Sequence, residues 1–255
     1  MARVMSELSK GFSCCAVIPV YNHEHAIGDV VEQVIQYGLF CVLVDDGSQA
    51  SCAATLDQLA LRFPVSVCVV RLPLNQGKGG ACIAGFREAA RRGFSHALQL
   101  DADGQHKTQS IPHFVDLARR YPSAAICGYA VYDHSVPKGR LIGRYVTHLW
   151  VWINTLSLAI RDSMCGFRVY PLNSTLKLLD HTAIGLRMNY DTDIIVKLFW
   201  AGTPVVNAPV QVTYPQDGVS HFRMLQDNLL ISRMHALHFL GMLLRMPKLL
   251  LRSFS

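Results

Sequence analysis

Charge is scarce in this chain. Asp, Glu, Lys and Arg make up only 16% of its 255 residues, against about 25% in an ordinary soluble protein. Hydrophobic residues make up 51%. A disordered chain needs the opposite balance, so that class is excluded. A dense Lys/Arg run is also missing, which argues against a nucleic-acid binder despite the net charge of +6. The eight cysteines offer no C-x-x-C pair and no zinc-ligand spacing, and most lie in apolar runs such as Phe40-Cys41-Val42-Leu43-Val44. They read as reduced core thiols, as on the cytosolic side of a membrane. The first apolar run, Cys14 to Val20, is short, ends in Pro19-Val20-Tyr21-Asn22 and has no cleavage site, so no secretory leader is expected. The mean hydropathy of +0.23 is nevertheless high for a freely soluble enzyme. Part of the molecule is either deeply buried or resting on lipid.

The length suits one large domain, or one domain with an appendage. Up to residue 130, short β-branched runs alternate with amphipathic stretches. The periodicity predicts strands over 15–20, 40–44, 65–70, 97–100 and 124–129, with helices over 27–37, 53–62, 79–92 and 109–120. Continuous apolar strands separated by helices mean a mostly parallel sheet covered on both faces, an α/β fold. Ligands on such sheets lie beyond the carboxyl ends of the strands, where the strand order reverses. Four polar clusters fall at those ends: Tyr21-Asn22, Asp45-Asp46-Gly47-Ser48, Asn75 to Lys78, and Asp101 to Gln105. Further on, the pattern predicts helices over 141–160 and 191–200 and strands over 167–170 and 205–213.

Asp101-Ala102-Asp103-Gly104-Gln105 is the sharpest chemical signal. In an extended segment, residues two apart project to one side, so both carboxylates can address one ligand. Such oxygen density suits Mg²⁺ or Mn²⁺ with positions left for phosphate oxygens. A lone D-x-D is more often a solvated turn, and Asp-Gly-Ser is by itself an ordinary one. Asn75-Gln76-Gly77-Lys78-Gly79-Gly80 matches neither the P-loop nor the dinucleotide fingerprint. A helix starting there would still offer N–H groups and a lysine to an anion.

Taken in order, these clusters resemble the inverting family 2 glycosyltransferases, nearest to the branch of dolichol-phosphate mannosyltransferase and polyprenyl-phosphate sugar transferases. The likeness continues through Asp162-Ser163-Met164-Cys165-Gly166-Phe167-Arg168-Val169-Tyr170. It implies a GT-A type fold and a UDP- or GDP-sugar donor. By the resemblance, Pro19, Tyr21, Asp45 and Asp46 line the base and ribose pocket, and Asn22 and Lys78 join the donor site. Asp101 faces the ribose or the metal, while Asp103 and Gln105 hold the metal on the diphosphate. Arg168 faces a phosphate, and Asp162 acts near the acceptor. A hydroxyl acceptor needs a general base, for which Asp162, Asp191 and Asp193 are candidates; a lipid phosphate arrives ionised and needs none. Asp191 and Asp193 can equally be helix caps. Lys138, Arg140 and Arg144 form a basic cluster suited to an acceptor phosphate, or a solvated turn. His221 stands where that branch has a lysine, so the cationic role there falls to His221 or Arg223.

Residues 222–255 carry five cations against Asp227 alone, most of the chain's positive excess. Their longest uncharged stretch, Met234 to Leu244, is 11 residues, too short to span a bilayer. Leu, Phe and Met interspersed with Arg and Lys suit an amphipathic helix in the headgroup region of an anionic leaflet, broken in two at Pro247. Packing on the rest of the protein or on a second subunit is the competing reading. His23, His25, His235 and His238 lack a third ligand and read as surface or interfacial. The expectation is therefore a glycosyltransferase domain over 1–221 with a membrane-interfacial tail over 222–255, peripheral on the inner face of the cytoplasmic membrane. Its acceptor is lipid-linked. The alternatives are a soluble or cell-envelope glycan hydroxyl acceptor, with the tail serving homo-oligomer formation, and a catalytically silent membrane-associated binding module.

Overall fold

The computed structural model describes residues 11–132, 138–212 and 223–253, leaving out the side chains of 132, 138–142 and 252–253. Strands β1 (Cys14–Val20), β2 (Phe40–Asp45), β3 (Val67–Arg71), β4 (His96–Gln99), β5 (Ala125–Tyr132), β6 (Arg168–Pro171) and β7 (Val205–Val212) form one sheet in the order β3-β2-β1-β4-β6-β5-β7. The first four run parallel, with Val17 in register with Val42 on one side and Gln99 on the other. The strand order reverses between β1 and β4. There the crevice for a ligand opens. β6 inserts antiparallel between β4 and β5, and β7 returns parallel to β5.

Helices α1 (Ile27–Gln36), α2 (Ala50–Arg62) and α4 (Ile111–Arg120) cover one face, burying Ile27, Val30, Val31, Val34, Leu56, Leu59 and Phe114. On the other face lie α3 (Lys78–Arg91), α6 (Leu172–His181) and α7 (Tyr190–Ala201), with Phe86, Leu172, Tyr190 and Ile194 inward. The architecture is the expected α/β, GT-A type sheet. Its eight cysteines are all unpaired, six of them buried, and they fill the core as small apolar residues. Helix α6 was not expected from the sequence pattern.

A third cluster joins α5 (Lys138–Thr155), α7 and the C-terminal helix α8 (Met224–Ser253) through Val151, Ile195, Trp200, Met242 and Leu249. The inner face of α8 is thus docked on the domain. Indole Nε1 of Trp200 donates to Asn154 O (3.0 Å), and Arg245 stacks 4.8 Å over the same ring. His235 and His238 are buried in this seam rather than at the surface. Burial and the neighbouring His238 push the His235 imidazole down to about 4. The expected break at Pro247 does not occur: the helix runs through it. One missing N–H is a local loss, and Met242 and Leu249 anchor the two sides of Pro247 to one core. Among the described residues, no helix is long and apolar enough to cross a membrane. The expected boundary at residue 221 lies outside the described residues.

Helix α3 lies close on the sheet because Gly85 has no side chain. A Cβ there would stand 2.3 Å from Val17 Cγ1 and 3.0 Å from Val44 Cγ2. Alanine favours a helix by about 1 kcal/mol over glycine, whereas overpacking costs about 1–3 kcal/mol. Gly85→Ala is therefore expected to lower the urea midpoint with an unchanged m-value; a raised midpoint would contradict this packing.

Candidate active site

The loops after β1, β2, β3 and β4 converge at the β1–β4 crevice. Pro19 stands past the last ladder contact between β1 and β4, where a missing N–H costs no bond. Asn22 adopts a left-handed backbone (φ 56°), and its Oδ1 accepts from Gln49 N at 2.8 Å. Tyr21 beside it is 36% exposed, the most open polar group of the expected base pocket. Asp45 is buried, accepts from Ser48 N (2.9 Å) and pairs with Arg71 (3.3 Å). Asp46 accepts from Gln76 N (2.7 Å) and Gly77 N (2.8 Å), one through each oxygen. Burial pushes its carboxyl above the usual range, against the pull of those two N–H groups. Asp46 therefore ties the loop after β2 to the loop after β3. Gly79 N is taken by Leu186 O at 2.8 Å, so three N–H groups of the expected anion cradle already have partners. Lys78 supplies the cation at this helix start.

The Lys78 ammonium lies 2.7 Å from Asp101 Oδ1 and 2.7 Å from Asp191 Oδ2. Burial acts against its charge, but the two carboxylates hold its pKa well above the ordinary value. Asp101 is driven up by burial and down by Lys78, His106 and His23, and the cations prevail. Gly166 makes the approach possible: a Cβ there would stand 2.6 Å from Lys78 Nζ and 2.7 Å from Asp101 Oδ2. Asp191 also accepts from Gln99 Nε2 (2.9 Å), and Tyr190 OH donates to the other end of that amide (3.2 Å).

Asp101 and Asp103 sit in a turn rather than an extended segment. Both side chains are half-exposed around buried Ala102, and Gln105 N donates to Asp103 Oδ1 at 3.0 Å. Burial and the negative charge of Asp101 push Asp103 up. That pressure on Asp103 is relieved by a hard cation, so this pair with Gln105 fits a divalent metal that leaves positions open. Among the described residues, no three His, Cys, Asp or Glu side chains gather into a closed cage.

The other expected site residues divide. Arg168 is fully buried, donating to Asp191 O (2.6 Å), Tyr170 OH (3.3 Å) and Asp162 O (3.4 Å). It does not face a phosphate; it braces the backbone beneath the site. Asp193 is also turned inward, held by Lys197 (2.7 Å), His238 Nε2 (2.6 Å) and Gly185 N (2.6 Å). Asp162 accepts from Met164 N (2.9 Å), Cys165 N (3.0 Å) and Ala130 N (3.1 Å), and it pairs with Arg144. The side chains of Lys138 and Arg140 and all of His221 lie outside the described residues. Arg223 opens α8, where its N–H donates to Asp227 (2.6 Å), away from these contacts.

Residues 15–175 match the family model described as "Glycosyl transferase family 2". This chain belongs to that family. It is a glycosyltransferase. It is 29% identical over 210 residues to polyprenol monophosphomannose synthase of Mycolicibacterium smegmatis, covering 80% of this chain and 78% of that protein. It is 26% identical over 206 residues to undecaprenyl-phosphate mannosyltransferase of Micrococcus luteus, covering 76% and 81%. Its fold resembles a mannosyltransferase from Pyrobaculum calidifontis solved with GDP-Man and Mn²⁺, with a TM-score of 0.54 and 14% identity, covering 85% of this chain and 64% of that one.

Three features of this glycosyltransferase site escaped the sequence reading. Gln99 holds Asp191 from within an apolar strand, and a lone amide in Ala97-Leu98-Gln99-Leu100 was the available signal. The close approach over Gly166 and the docking of loop 183–189 on loop 75–79 left no local signal. Arg187 reaches Asn75 Oδ1 at 3.3 Å across that contact.

Asp162 supplies a pH signature. Burial alone would raise its pKa, but Arg144, His148 and the Ala130 N–H outweigh it and hold the carboxyl below its usual value. The stabilisation is therefore full above about pH 4, the unfolded carboxylate value, and is lost as pH falls through the folded one. Asp162→Asn is expected to cost about 3 kcal/mol at neutral pH by leaving Arg144 without its counter-charge. Urea unfolding should show that difference shrinking on acidification. A difference independent of pH would contradict the ion pair.

Proposed function

We propose that this glycosyltransferase moves a sugar from a UDP- or GDP-sugar to a polyprenyl-phosphate-like acceptor at a membrane surface, inverting the anomeric carbon. The observation that carries this reading is the state of the three carboxylates considered as bases. Asp162 and Asp193 are saturated with donors, and Asp191 is shared between Lys78 and Gln99. None of the three is free to take a proton from a hydroxyl. A phosphate acceptor needs none taken. Its oxygen attacks the anomeric carbon opposite the diphosphate, the bond to the departing phosphate oxygen breaks, and the electron pair leaves with the nucleotide. The relatives named above, with polyprenol and undecaprenyl phosphate in their names, support the same choice.

Asp101, Asp103 and Gln105 would hold Mg²⁺ or Mn²⁺. Bound there, the ion stabilises negative charge on the leaving diphosphate. Lys78 adds a fixed positive charge beside it, pre-oriented by two carboxylates. Tyr21, Pro19 and Asn22 line the base side. Asp45 and Asp46 shape that side by pinning its loops. Arg144, aimed by Asp162, is the cation for the acceptor phosphate, with Lys138 and Arg140 preceding it in α5.

The tail supports attachment to the inner face of the cytoplasmic membrane. Opposite its docked side, α8 exposes Leu225, Leu229, Leu240, Leu244 and Leu251. A leucine face bordered by Arg and Lys suits the headgroup region of an anionic leaflet.

The test uses vesicles carrying polyprenyl phosphate, supplied with labelled GDP- and UDP-sugars and Mn²⁺. Label is expected in the lipid extract, and Asp103→Asn is expected to lower turnover by about 100-fold or more with an unchanged circular dichroism spectrum. Label found only on soluble hydroxyl acceptors would overturn the proposal.

A further inference from the structure

Behind the candidate donor site, a groove of about 440 Å³ runs between α8 and the domain. Its apolar lining includes Ile184, Trp200, Met234 and Leu237. Around it stand three cations, Lys197, Arg233 and Arg245, with Asp193 as the one acid among its lining residues. The net charge is positive. Lys197 is occupied by Asp193 and Ala183 O (2.8 Å). Arg245 lies over Trp200 and donates one Nη1 hydrogen bond to Gly241 O (2.9 Å). Exposed Arg233 has no hydrogen-bond or ion-pair partner among the described residues. A cleft with apolar walls and unneutralised guanidinium groups is complementary to an anion that carries hydrocarbon.

Two further observations say where such an anion comes from and what it touches. Leu237 lines the groove and is also 57% exposed, so its lip is continuous with the outward leucine face of α8. The opposite wall contains residues 183–185, the start of the loop whose far side meets the donor site. There Leu186 O accepts from Gly79 N, and Arg187 reaches Asn75. One loop is shared by groove and donor site.

We propose that this groove binds the phosphate headgroup of an anionic phospholipid from the bilayer under α8, and that the bound lipid braces loop 183–189 against the donor site. This rests on the membrane attachment proposed above. An anionic bilayer would then supply more than a surface: its lipid would order the loop that packs on Lys78 and its neighbours. Arg233 is the headgroup ligand with least prior commitment, and Arg245 is its companion.

The experiment separates the groove from the membrane by using dihexanoyl phosphatidylglycerol as a monomeric probe. Amide hydrogen exchange is followed at Gly185 to Asn189 in the whole chain. At ten times its Kd, the probe is expected to slow exchange there by about tenfold. Dihexanoyl phosphatidylcholine and inorganic phosphate should leave it unchanged. Arg233→Glu should abolish the slowing while the circular dichroism spectrum stays that of the wild type. Equal protection by inorganic phosphate would identify a free-phosphate site and overturn the lipid assignment. Protection by the choline lipid, protection retained in Arg233→Glu, or no protection at all would overturn it as well. Flotation is run in parallel. Wild type that binds phosphatidylglycerol vesicles but shows no probe protection refutes the groove alone. Wild type that fails to float refutes the membrane reading on which the groove proposal rests, and overturns both.

Discussion

Two carboxylates that are distant in sequence meet on a single ammonium at the start of α3, and that contact constrains what surrounds it. Asp101 arrives from the end of β4 and Asp191 from the first turn of α7; Lys78 bridges them at 2.7 Å on each side. Withdrawing any one charge would leave the others poorly solvated and unbalanced, a condition that costs several kcal/mol in a partly buried site. The cluster therefore holds the end of β4, the start of α3 and the first turn of α7 in one register. Gly166 is required because any Cβ would stand within 3 Å of both Lys78 and Asp101. Gln99 and Arg168 follow from the same need, the first holding the Asp191 side chain and the second its carbonyl.

Around that cluster, acidic residues serve as structural acceptors more than as free reactive groups. Asp46 ties two loops, Asp162 orders a turn and aims Arg144, and Asp193 secures α8 through His238. Asp103 is different: it has no cation of its own among the described residues, and burial and the charge of Asp101 push its carboxyl above the usual range. The proposed transfer onto an already ionised nucleophile follows from this division: a fixed ammonium charge stands at the crevice, and Asp162, Asp191 and Asp193 are all occupied.

Much of this was legible in sequence. The apolar runs at 15–20, 40–44 and 97–100 and the amphipathic helix over 27–37 declare a parallel sheet through their periods, and polar clusters at four strand ends mark its ligand edge. The antiparallel insertion of β6 was not legible, because a four-residue apolar run carries no sign of its direction or neighbours. Helix α6 starts directly at the end of β6, with Leu172 following Pro171, so no turn residues announced it. Arg168 was misread for a related reason: a motif reveals a guanidinium but not its burial. Pro247 was misread because local propensity yielded to packing, Met242 and Leu249 holding the helix in line. Of the two placements open to His235 and His238, surface or interface, the sequence could not choose, since only the docking of α8 buries them.

The docked tail joins two tasks in one helix. Its inner face reaches Asp193, two residues from Asp191, while its outer face offers leucines. The central claim concerns the crevice, however: the carboxylates at 101 and 103 and the lysine at 78 form a cation-dependent site for a nucleotide diphosphate. Calorimetric titration of GDP- and UDP-sugars, with Mn²⁺ and then with chelator, tests it most directly. The account predicts that at least one nucleotide sugar binds tightly only when the metal is present. Equal affinity in chelator, or no binding by any nucleotide sugar in Mn²⁺, would contradict it.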